Sequence, residues 1–188
     1  MQTWSGTFDE EGKPHGQGTL TYPAPAKKDE EEEDKPGDKF EGNLNHGQRE
    51  GKGKYTWSNG CYYGGDYKNH MRHGNGTLTL PDKGRYEGDW SENKMHGQGF
   101  YTYANGDMYT GSFQQGVKHG QGSYYFKSTK SQYIGVWENG VFLNGTWALQ
   151  DGSAFNGRFG NNAEAQATFA ATSGLCQEVC NRGTGKLS

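Results

Sequence analysis

The feature that most constrains this chain is a short pattern, aromatic-x-Gly-x-aromatic, that recurs at nearly constant spacing. Successive copies start 36, 23, 23, 23, 24 and 22 residues apart, so only the first interval is irregular. A fixed period of roughly 20–50 residues is typical of architectures that stack copies of one supersecondary unit. We therefore expect a repeat array with copies starting at Trp4, Phe40, Tyr63, Tyr86, Tyr109, Tyr133 and Phe155.

The best-formed copy predicts a β-hairpin. Aromatic residues and glycines alternate over residues 86–90 and again over 97–103, and alternation with a period of two is the pattern of a strand. The dipeptide Asn105-Gly106 follows and predicts a tight turn, because both central positions of such a turn need positive φ. Each repeat is thus predicted to be a strand, a short polar link, a second strand and a tight turn.

The core of such a repeat is expected to consist of aromatic rings lying over glycines. The chain has 32 glycines, 12 tyrosines, 9 phenylalanines and 5 tryptophans, so rings rather than aliphatic side chains must supply the buried surface. In one strand Tyr86, Gly88 and Trp90 share a face, while Glu87 and Asp89 point the other way. A ring that lies across the space left by a glycine would offset the entropic cost of placing glycine in a strand.

The spacing divides the chain into four segments. Residues 1–22 form the first repeat, and residues 40–165 contain repeats two to seven, of which the last two are degraded. Between them, residues 23–39 contain three prolines and an unbroken run of carboxylates from Asp29 to Asp34, and we expect an exposed, disordered insert there. Residues 166–188 are an irregular tail without a clear period.

Residue types with catalytic or metal-binding chemistry do not form a convincing site. His73, His96 and His119 recur every 23 residues, but equivalent positions lie two strands apart, about 9.6 Å, too far to share a zinc ion with ligands at about 2.0–2.1 Å. We interpret them as residues of the hairpin link that bond locally. The Gly-x-Gly pattern lacks the ending of a phosphate loop. We expect no catalytic residues, no cofactor and no enzymatic activity.

The cysteines do not change this expectation. The chain has three of them, an odd number that excludes a complete disulfide framework. Cys176 and Cys180 have no histidine or second cysteine pair nearby, and Cys61 is isolated, so plain thiols are favoured over a zinc site.

The pattern Tyr-x-Gly-x-Trp, a link, and then His-Gly-x-Gly-x-x-x-Tyr resembles the MORN repeat over about residues 3–160. The resemblance implies an all-β fold, an elongated single-layer twisted antiparallel sheet of about seven MORN hairpins. Such a sheet has open edges and a large aromatic face, both of which favour partners. The residues that we expect on the structural and interaction face are Tyr63, Tyr67, Tyr86, Trp90, Tyr103, Tyr109, Phe113, Tyr133 and Trp137.

The late repeats carry a second resemblance. Residues 133–140, Gly145-Thr146 and residues 155–159 are similar to the late repeats of the MORN subunits in the radial spoke head of motile cilia. This resemblance implies a non-catalytic scaffold in the cytoplasm and cytoskeleton, at the axoneme of a cilium or flagellum. The implied partners are other radial spoke head proteins, including a second copy or another MORN subunit in a homo- or heterodimer.

Two other function classes remain open. MORN arrays are also linked to phospholipid or membrane-surface binding, and to the regulatory parts of enzymes. The insert carries a net charge of −3, which equals that of the whole chain, so the repeats are neutral. Anionic lipid binding favours a basic patch, and no enzymatic domain is evident, so both classes are disfavoured. We expect neither a membrane nor nucleic acid as a partner.

Overall fold

The computed structural model describes residues 2–24 and 36–160, and every regular element in them is a β-strand. The chain divides into two compact units, residues 1–104 and 105–188. The first unit contains β1 (Thr3–Trp4), β2 (Thr7–Phe8), β3 (Pro14–Thr21), β4 (Lys39–Asn45), β5 (Gln48–Thr56), β6 (Tyr62–Lys68), β7 (Met71–Thr79), β8 (Arg85–Ser91) and β9 (Lys94–Thr102). The second contains β10 (Met108–Gln114), β11 (Val117–Phe126), β12 (Ser131–Glu138), β13 (Val141–Ala148) and β14 (Ala154–Arg158).

Each unit is an antiparallel sheet in which strands that follow one another in the chain are neighbours. In the first unit β3 to β9 pair in sequence order, β1 lies on the outer side of β3, and β2 also pairs with β3. In the second unit β10 to β14 pair in sequence order. The predicted all-β class built from antiparallel hairpins is confirmed. Most of the predicted insert, residues 25–35, and the whole tail lie outside the described residues.

The turn chemistry differs from the prediction. Asn59 precedes Gly60 as Asn105 precedes Gly106, but only the glycines have positive φ, at 86° and 84°. The backbone N–H of Gly60 bonds to the carbonyl of Trp57 at 2.9 Å, as in a three-residue hairpin loop that ends with a left-handed glycine. The prediction of a turn with two positive-φ residues at Asn-Gly is therefore wrong.

The tight two-residue turns lie inside the repeats, at the links that the sequence pattern presented only as polar. Asn69 and His70 have φ of 49° and 67°, and Glu92 and Asn93 have φ of 49° and 69°. Two successive left-handed residues are the geometry of the hairpin turn whose twist matches that of its strands. Asparagine adopts this conformation more readily than most residues.

A bulge interrupts the alternation in the repeats. Between β8 and β9, Gly88 pairs with Gly99 but Trp90 pairs with Met95, so Asp89 alone opposes three residues. The same register shift occurs between β4 and β5, β6 and β7, and β10 and β11. The extra residues lie in β9, so the alternation of Tyr86, Gly88 and Trp90 in β8 is unbroken, and the bulge places Met95 opposite Trp90.

The core consists of rings over glycine pairs, as predicted. A Cβ atom added to Gly99 would lie 2.5 Å from Tyr86, and one added to Gly65 would lie 2.5 Å from the Tyr63 hydroxyl oxygen. Each ring comes from the same strand as one glycine and covers its cross-strand partner as well, as Gly65 pairs with Gly76. The buried aromatic side chains are Phe40, Tyr63, Tyr67, Tyr86, Trp90, Tyr109, Phe113, Phe126, Tyr133, Trp137, Phe142 and Trp147.

Candidate interaction surface

A row of cations lies on the ring-bearing face of the sheets. The second residue of the second strand in four successive repeats is Arg49, Arg72, Met95 and Lys118, spaced 23 residues apart. These positions pair directly with Leu44, Tyr67, Trp90 and Phe113. Three of the four repeats therefore place a long cationic side chain against aromatic rings, and the sequence analysis overlooked this period.

In the first unit Arg72 is surrounded by three aromatic rings. Its Cζ atom lies 4.5 Å from the centroid of the Trp90 ring, 5.7 Å from that of Tyr63 and 5.9 Å from that of Trp57. Its Nη2 donates a hydrogen bond to the carbonyl of Asn93 at 2.8 Å. Burial lowers the pKa of the Arg72 guanidinium. Ring faces attract a guanidinium, so the rings replace part of the hydration that the side chain loses.

Arg49 repeats the arrangement one hairpin earlier. Its Cζ lies 5.1 Å from the Tyr55 centroid, 5.5 Å from that of Tyr67 and 5.7 Å from that of Phe40. Its Nε is buried and has no hydrogen-bond partner among the described residues. A buried donor that lacks an acceptor carries a cost, which the attraction between the guanidinium and the surrounding ring faces offsets in part.

In the second unit Lys118 occupies the same position. Its Nζ lies 4.2 Å from the Trp137 centroid, 4.6 Å from that of Tyr124 and 5.6 Å from that of Tyr109. Burial lowers the pKa of the Lys118 ammonium to about 8. The rings hold the cation at the surface of the aromatic core, where desolvation is substantial.

The predicted interaction residues are mostly buried inside their own units. Eight of the nine have at most 6% of their surface exposed, and only Tyr103 is half-buried, with its ring 4.4 Å from that of Tyr101. Side chains this buried offer little surface to a partner. Whether any of the nine contacts a partner stays a prediction. In the first unit the accessible part of this face consists of half-buried side chains, which we call the aromatic–cationic face: Arg49, Tyr55, Trp57, Arg72, Tyr101 and Tyr103.

The opposite face of the first unit carries paired charges. Lys52 and Asp66 form an ion pair at 2.8 Å, and two further pairs, Lys39–Glu41 and Arg85–Glu87, each have a separation of 3.0 Å. Alternate residues of a strand point to opposite faces, so these side chains lie away from the rings. Both signs are present, in agreement with the near-neutral charge of the repeats.

Two aspartates have a role that sequence reasoning missed. Asp89 Oδ2 accepts a hydrogen bond from the backbone N–H of Gln98 at 2.8 Å, and Asp66 Oδ2 accepts one from that of Asn75 at 3.1 Å. Burial alone would raise the pKa of Asp66, but bonds from Lys52 and from the backbone of Asn75 outweigh it and lower that pKa. The available signal was the carboxylate placed just before the second aromatic residue in both repeats.

The periodic histidines lie in strands rather than in the hairpin links, so that part of their interpretation is wrong. His73, His96 and His119 lie in β7, β9 and β11, each as the first residue of a bulge. Each precedes a glycine of the same bulge with φ of 58–69°. Among residues 2–24 and 36–160, the one group of histidine and acidic side chains within ligating distance is Asp9, His15 and His46.

The cysteines remain unconnected to a site. Cys61 is a free, half-buried thiol whose pKa is raised by burial. Cys176 and Cys180 lie outside the described residues. The part of the chain that the structure describes contains no helix with the length and apolarity that a membrane span requires.

Comparison with known families identifies the repeats. The MORN repeat family matches at residues 4–24, 40–62, 63–85, 86–108 and 109–129, which together make up more than half of the chain. The chain therefore belongs to the MORN repeat family. The predicted sixth and seventh copies lie beyond the matched segments, where the structure nevertheless places the hairpin β12–β13 and the strand β14.

Similarity to individual proteins is limited. No curated protein matches the sequence significantly. Among solved structures, the chain is similar to the TCP domain of SAS-4 from Drosophila melanogaster, solved in complex with a proline-rich motif of Ana2. That similarity has 11% sequence identity and a TM-score of 0.44, and covers 81% of this chain and 76% of the other.

Proposed function

We propose that this chain is a non-catalytic scaffold that joins proteins in a large assembly, and that the assembly is the radial spoke head of a motile cilium. The observation that carries the scaffold role is the cation row, which repeats with the hairpins and lies against the aromatic rings. An array that presents one arrangement several times offers a partner repeated contacts rather than a single reaction centre.

The composition of the aromatic–cationic face favours a protein partner. Tyrosine, tryptophan and arginine are enriched among the side chains that dominate binding energy at protein interfaces. Here Tyr55 and Trp57 lie with their ring centroids 4.7 Å apart beside Arg49. Rings that are already packed lose little conformational freedom on binding, which favours affinity.

Support for the spoke head comes from the late repeats. Residues 133–140 and 155–159, which resemble the spoke head MORN subunits, form β12 and the greater part of β14 in the second unit. The pairing of β12 with β13 differs from that in the earlier hairpins, because its register shift lies between the adjacent residues Val136 and Trp137. A segment that departs from the repeat is suited to a contact that occurs once in the assembly.

Lipid binding is less well supported by the charges. The cations Arg49, Arg72 and Lys118 lie against rings, and Lys118 is substantially desolvated. Exposed cations on the opposite face, such as Lys52, pair with carboxylates. Anionic headgroups bind to clusters of free basic side chains, and these cations are already engaged.

The proposal can be tested in a ciliated cell that expresses the tagged full-length chain. We expect the chain to fractionate with salt-washed axonemes, and cross-linking with mass spectrometry to connect it to spoke head proteins. Absence from axonemes would refute the spoke head assignment.

The scaffold role has a separate test in the same cells. Arg72→Met removes the cation and should therefore weaken capture of the partners. The fold should tolerate the change, because methionine already occupies the equivalent position 95. Glu87→Ala, on the opposite face, is the matched control and should leave capture unchanged. Equal capture by all three proteins would contradict a role for this face, and tight, salt-sensitive flotation with anionic vesicles would favour the lipid alternative.

A further inference from the structure

We propose that Asp9, His15 and His46 form a binding site for a divalent transition-metal ion such as Zn²⁺. One ligand atom from each residue lies within 4.8 Å of the other two. Two imidazoles and a carboxylate are a donor set that zinc and its neighbours in the first transition row accept.

Three separate backbone connections bring these residues together. The pairing of β2 with β3 places Thr7 opposite His15. A turn closed by the bond from the Asp9 N–H to the carbonyl of Lys13, 2.9 Å, folds Asp9 back toward β3. The N–H of Gly47 bonds to the carbonyl of Pro14 at 2.7 Å. This last bond holds the link that carries His46 beside the strand that carries His15.

The side chains are already in contact. His46 Nδ1 lies 2.6 Å from Asp9 Oδ2, and the rings of His15 and His46 are 5.4 Å apart between centroids. Ligands of a tetrahedral zinc at about 2.0–2.1 Å from the metal lie roughly 3.4 Å from one another. Small rotations of the three side chains would reach that spacing, and an ion bound to His46 Nδ1 would take the place of the hydrogen between His46 and Asp9, with the imidazole proton on Nε2.

Asp9 is oriented for this role by its other oxygen. Its Oδ1 accepts hydrogen bonds from the backbone N–H groups of Glu11 and Lys13 at 3.0 and 2.8 Å. These bonds fix the carboxylate and direct Oδ2 toward His46, as orienting hydrogen bonds do for metal ligands generally. The Asp9 side chain is 9% exposed and that of His46 is 59% exposed. An ion can therefore arrive from solvent on the His46 side, where water completes its coordination.

The site depends on features of the first repeat that the other described repeats lack. The equivalent histidines His73, His96 and His119 are each the first residue of a bulge and have no Asp9-like turn against them. The short strand β2 and the turn after it occur only in the first repeat among the described residues. The site is therefore specific to this end of the first unit.

Three ligand variants test the site without disturbing the backbone. His46→Asn suits the left-handed conformation of this position, where φ is 47°, because Asn69 and Asn139 adopt it at equivalent links with φ of 49° and 50°. Asp9→Asn keeps an oxygen for the N–H groups of Glu11 and Lys13. His15→Gln keeps a polar side chain in β3. His73→Gln and His96→Gln are the matched controls.

The experiment is zinc titration of the full-length chain by calorimetry, with all proteins carrying Cys61→Ser, Cys176→Ser and Cys180→Ser so that thiols do not contribute. We expect one zinc ion per chain for the parent and for both controls. Each ligand variant should bind at least about tenfold more weakly, since even partners that only orient a ligand typically contribute about 10–100-fold. Circular dichroism and thermal unfolding without metal establish that each variant folds.

Two results would overturn the proposal. One is the absence of saturable zinc binding by the parent at micromolar concentration, and the other is binding that all three folded ligand variants retain at parental affinity. A cobalt-substituted parent provides an independent readout. Its visible absorption should indicate nitrogen and oxygen ligands and should disappear in His46→Asn.

Discussion

Asp89 Oδ2 accepts a hydrogen bond from the backbone N–H of Gln98 at 2.8 Å, directly across the bulge between β8 and β9. The bulge removes regular pairing from three residues of β9, and the carboxylate supplies an acceptor for one of the N–H groups left over. Asp66 provides the same bond to Asn75 in the preceding hairpin. A side chain that strand alternation assigns to the polar face thus helps to define the register of the sheet.

Asp89→Ala should destabilise the first unit by about 1.5–3 kcal/mol, the range for hydrogen bonds to charged groups. The Asn75 side chain, which also donates to Asp89, would lose its acceptor as well. Glu87→Ala is the control from the same strand and face, since it removes an exposed ion pair worth about 0–1 kcal/mol. Urea unfolding of the full-length chain measures both, and equal losses would contradict the bulge-capping role.

The sequence predicted the features that depend on period. Alternating rings and glycines specify strands, and the shared face of Tyr86 and Gly88 specifies the ring-on-glycine core, because both follow from side-chain direction alone. The bulge was not predictable in this way. Its extra residues lie in β9, opposite Asp89, and they leave the alternation of rings and glycines in β8 unchanged. The cation row was detectable from its spacing, but Met95 interrupts it.

The turns show the same limit. Asn59-Gly60 and Asn69-His70 both contain residues that tolerate positive φ, and the sequence signal favoured the first as the two-residue turn. In the structure Asn69-His70 forms the two-residue turn, because the number of residues left between paired strands decides the turn type. Pairing is set by contacts across strands, which the local sequence does not reveal.

Gly65→Ala should cost about 1–3 kcal/mol of stability, the usual penalty for overpacking. The new Cβ would lie 2.5 Å from the Cα of Gly76 and from the Tyr63 hydroxyl oxygen. Its neighbour Gly64 has no heavy atom within 4 Å of an added Cβ, so Gly64→Ala should be neutral or stabilising by roughly 0.5–1 kcal/mol. The outcome is read from thermal and urea unfolding of the two variants, and a loss of similar size at both positions would rule out steric specificity. Gly88→Val and Gly99→Val, which meet Tyr86, should be strongly destabilising.

The buried ammonium of Lys118 should make stability depend on pH between about 8 and 10. Burial lowers its pKa from 10.5 to about 8 in the folded chain. In this window the unfolded chain binds more protons than the folded one, so stability rises with pH. Lys118→Met, which imitates Met95, should remove this dependence.

The measurement is the difference in unfolding free energy between the parent and Lys118→Met at pH 8 and pH 10. It should shift by about 2 kcal/mol in favour of the parent, by linkage from the two pKa values. Tyrosine ionisation in the unfolded chain opposes the trend as pH approaches 10, but it acts equally on both proteins and cancels in the difference. A difference that does not change with pH would show that Lys118 titrates normally.

Among the described acidic residues of the second unit, Asp107 should be the one whose substitution destabilises the fold most. It is 8% exposed and accepts hydrogen bonds from the Tyr124 hydroxyl and the backbone N–H of Lys127, both at 2.9 Å, and from Asn105 Nδ2 at 2.8 Å. Asp107→Ala would remove the acceptor of all three bonds, so we expect a loss of about 2–4 kcal/mol, since each buried group that loses its acceptor costs about 1–3 kcal/mol. Tyr124→Phe removes one of these three bonds and should cost less than Asp107→Ala. Asp151→Ala, at an exposed turn where Asp151 accepts a bond from the Ser153 N–H at 2.9 Å, is the control and should cost under about 1 kcal/mol. Denaturant unfolding ranks the three variants, and the expectation fails if Asp107→Ala is no more harmful than Asp151→Ala.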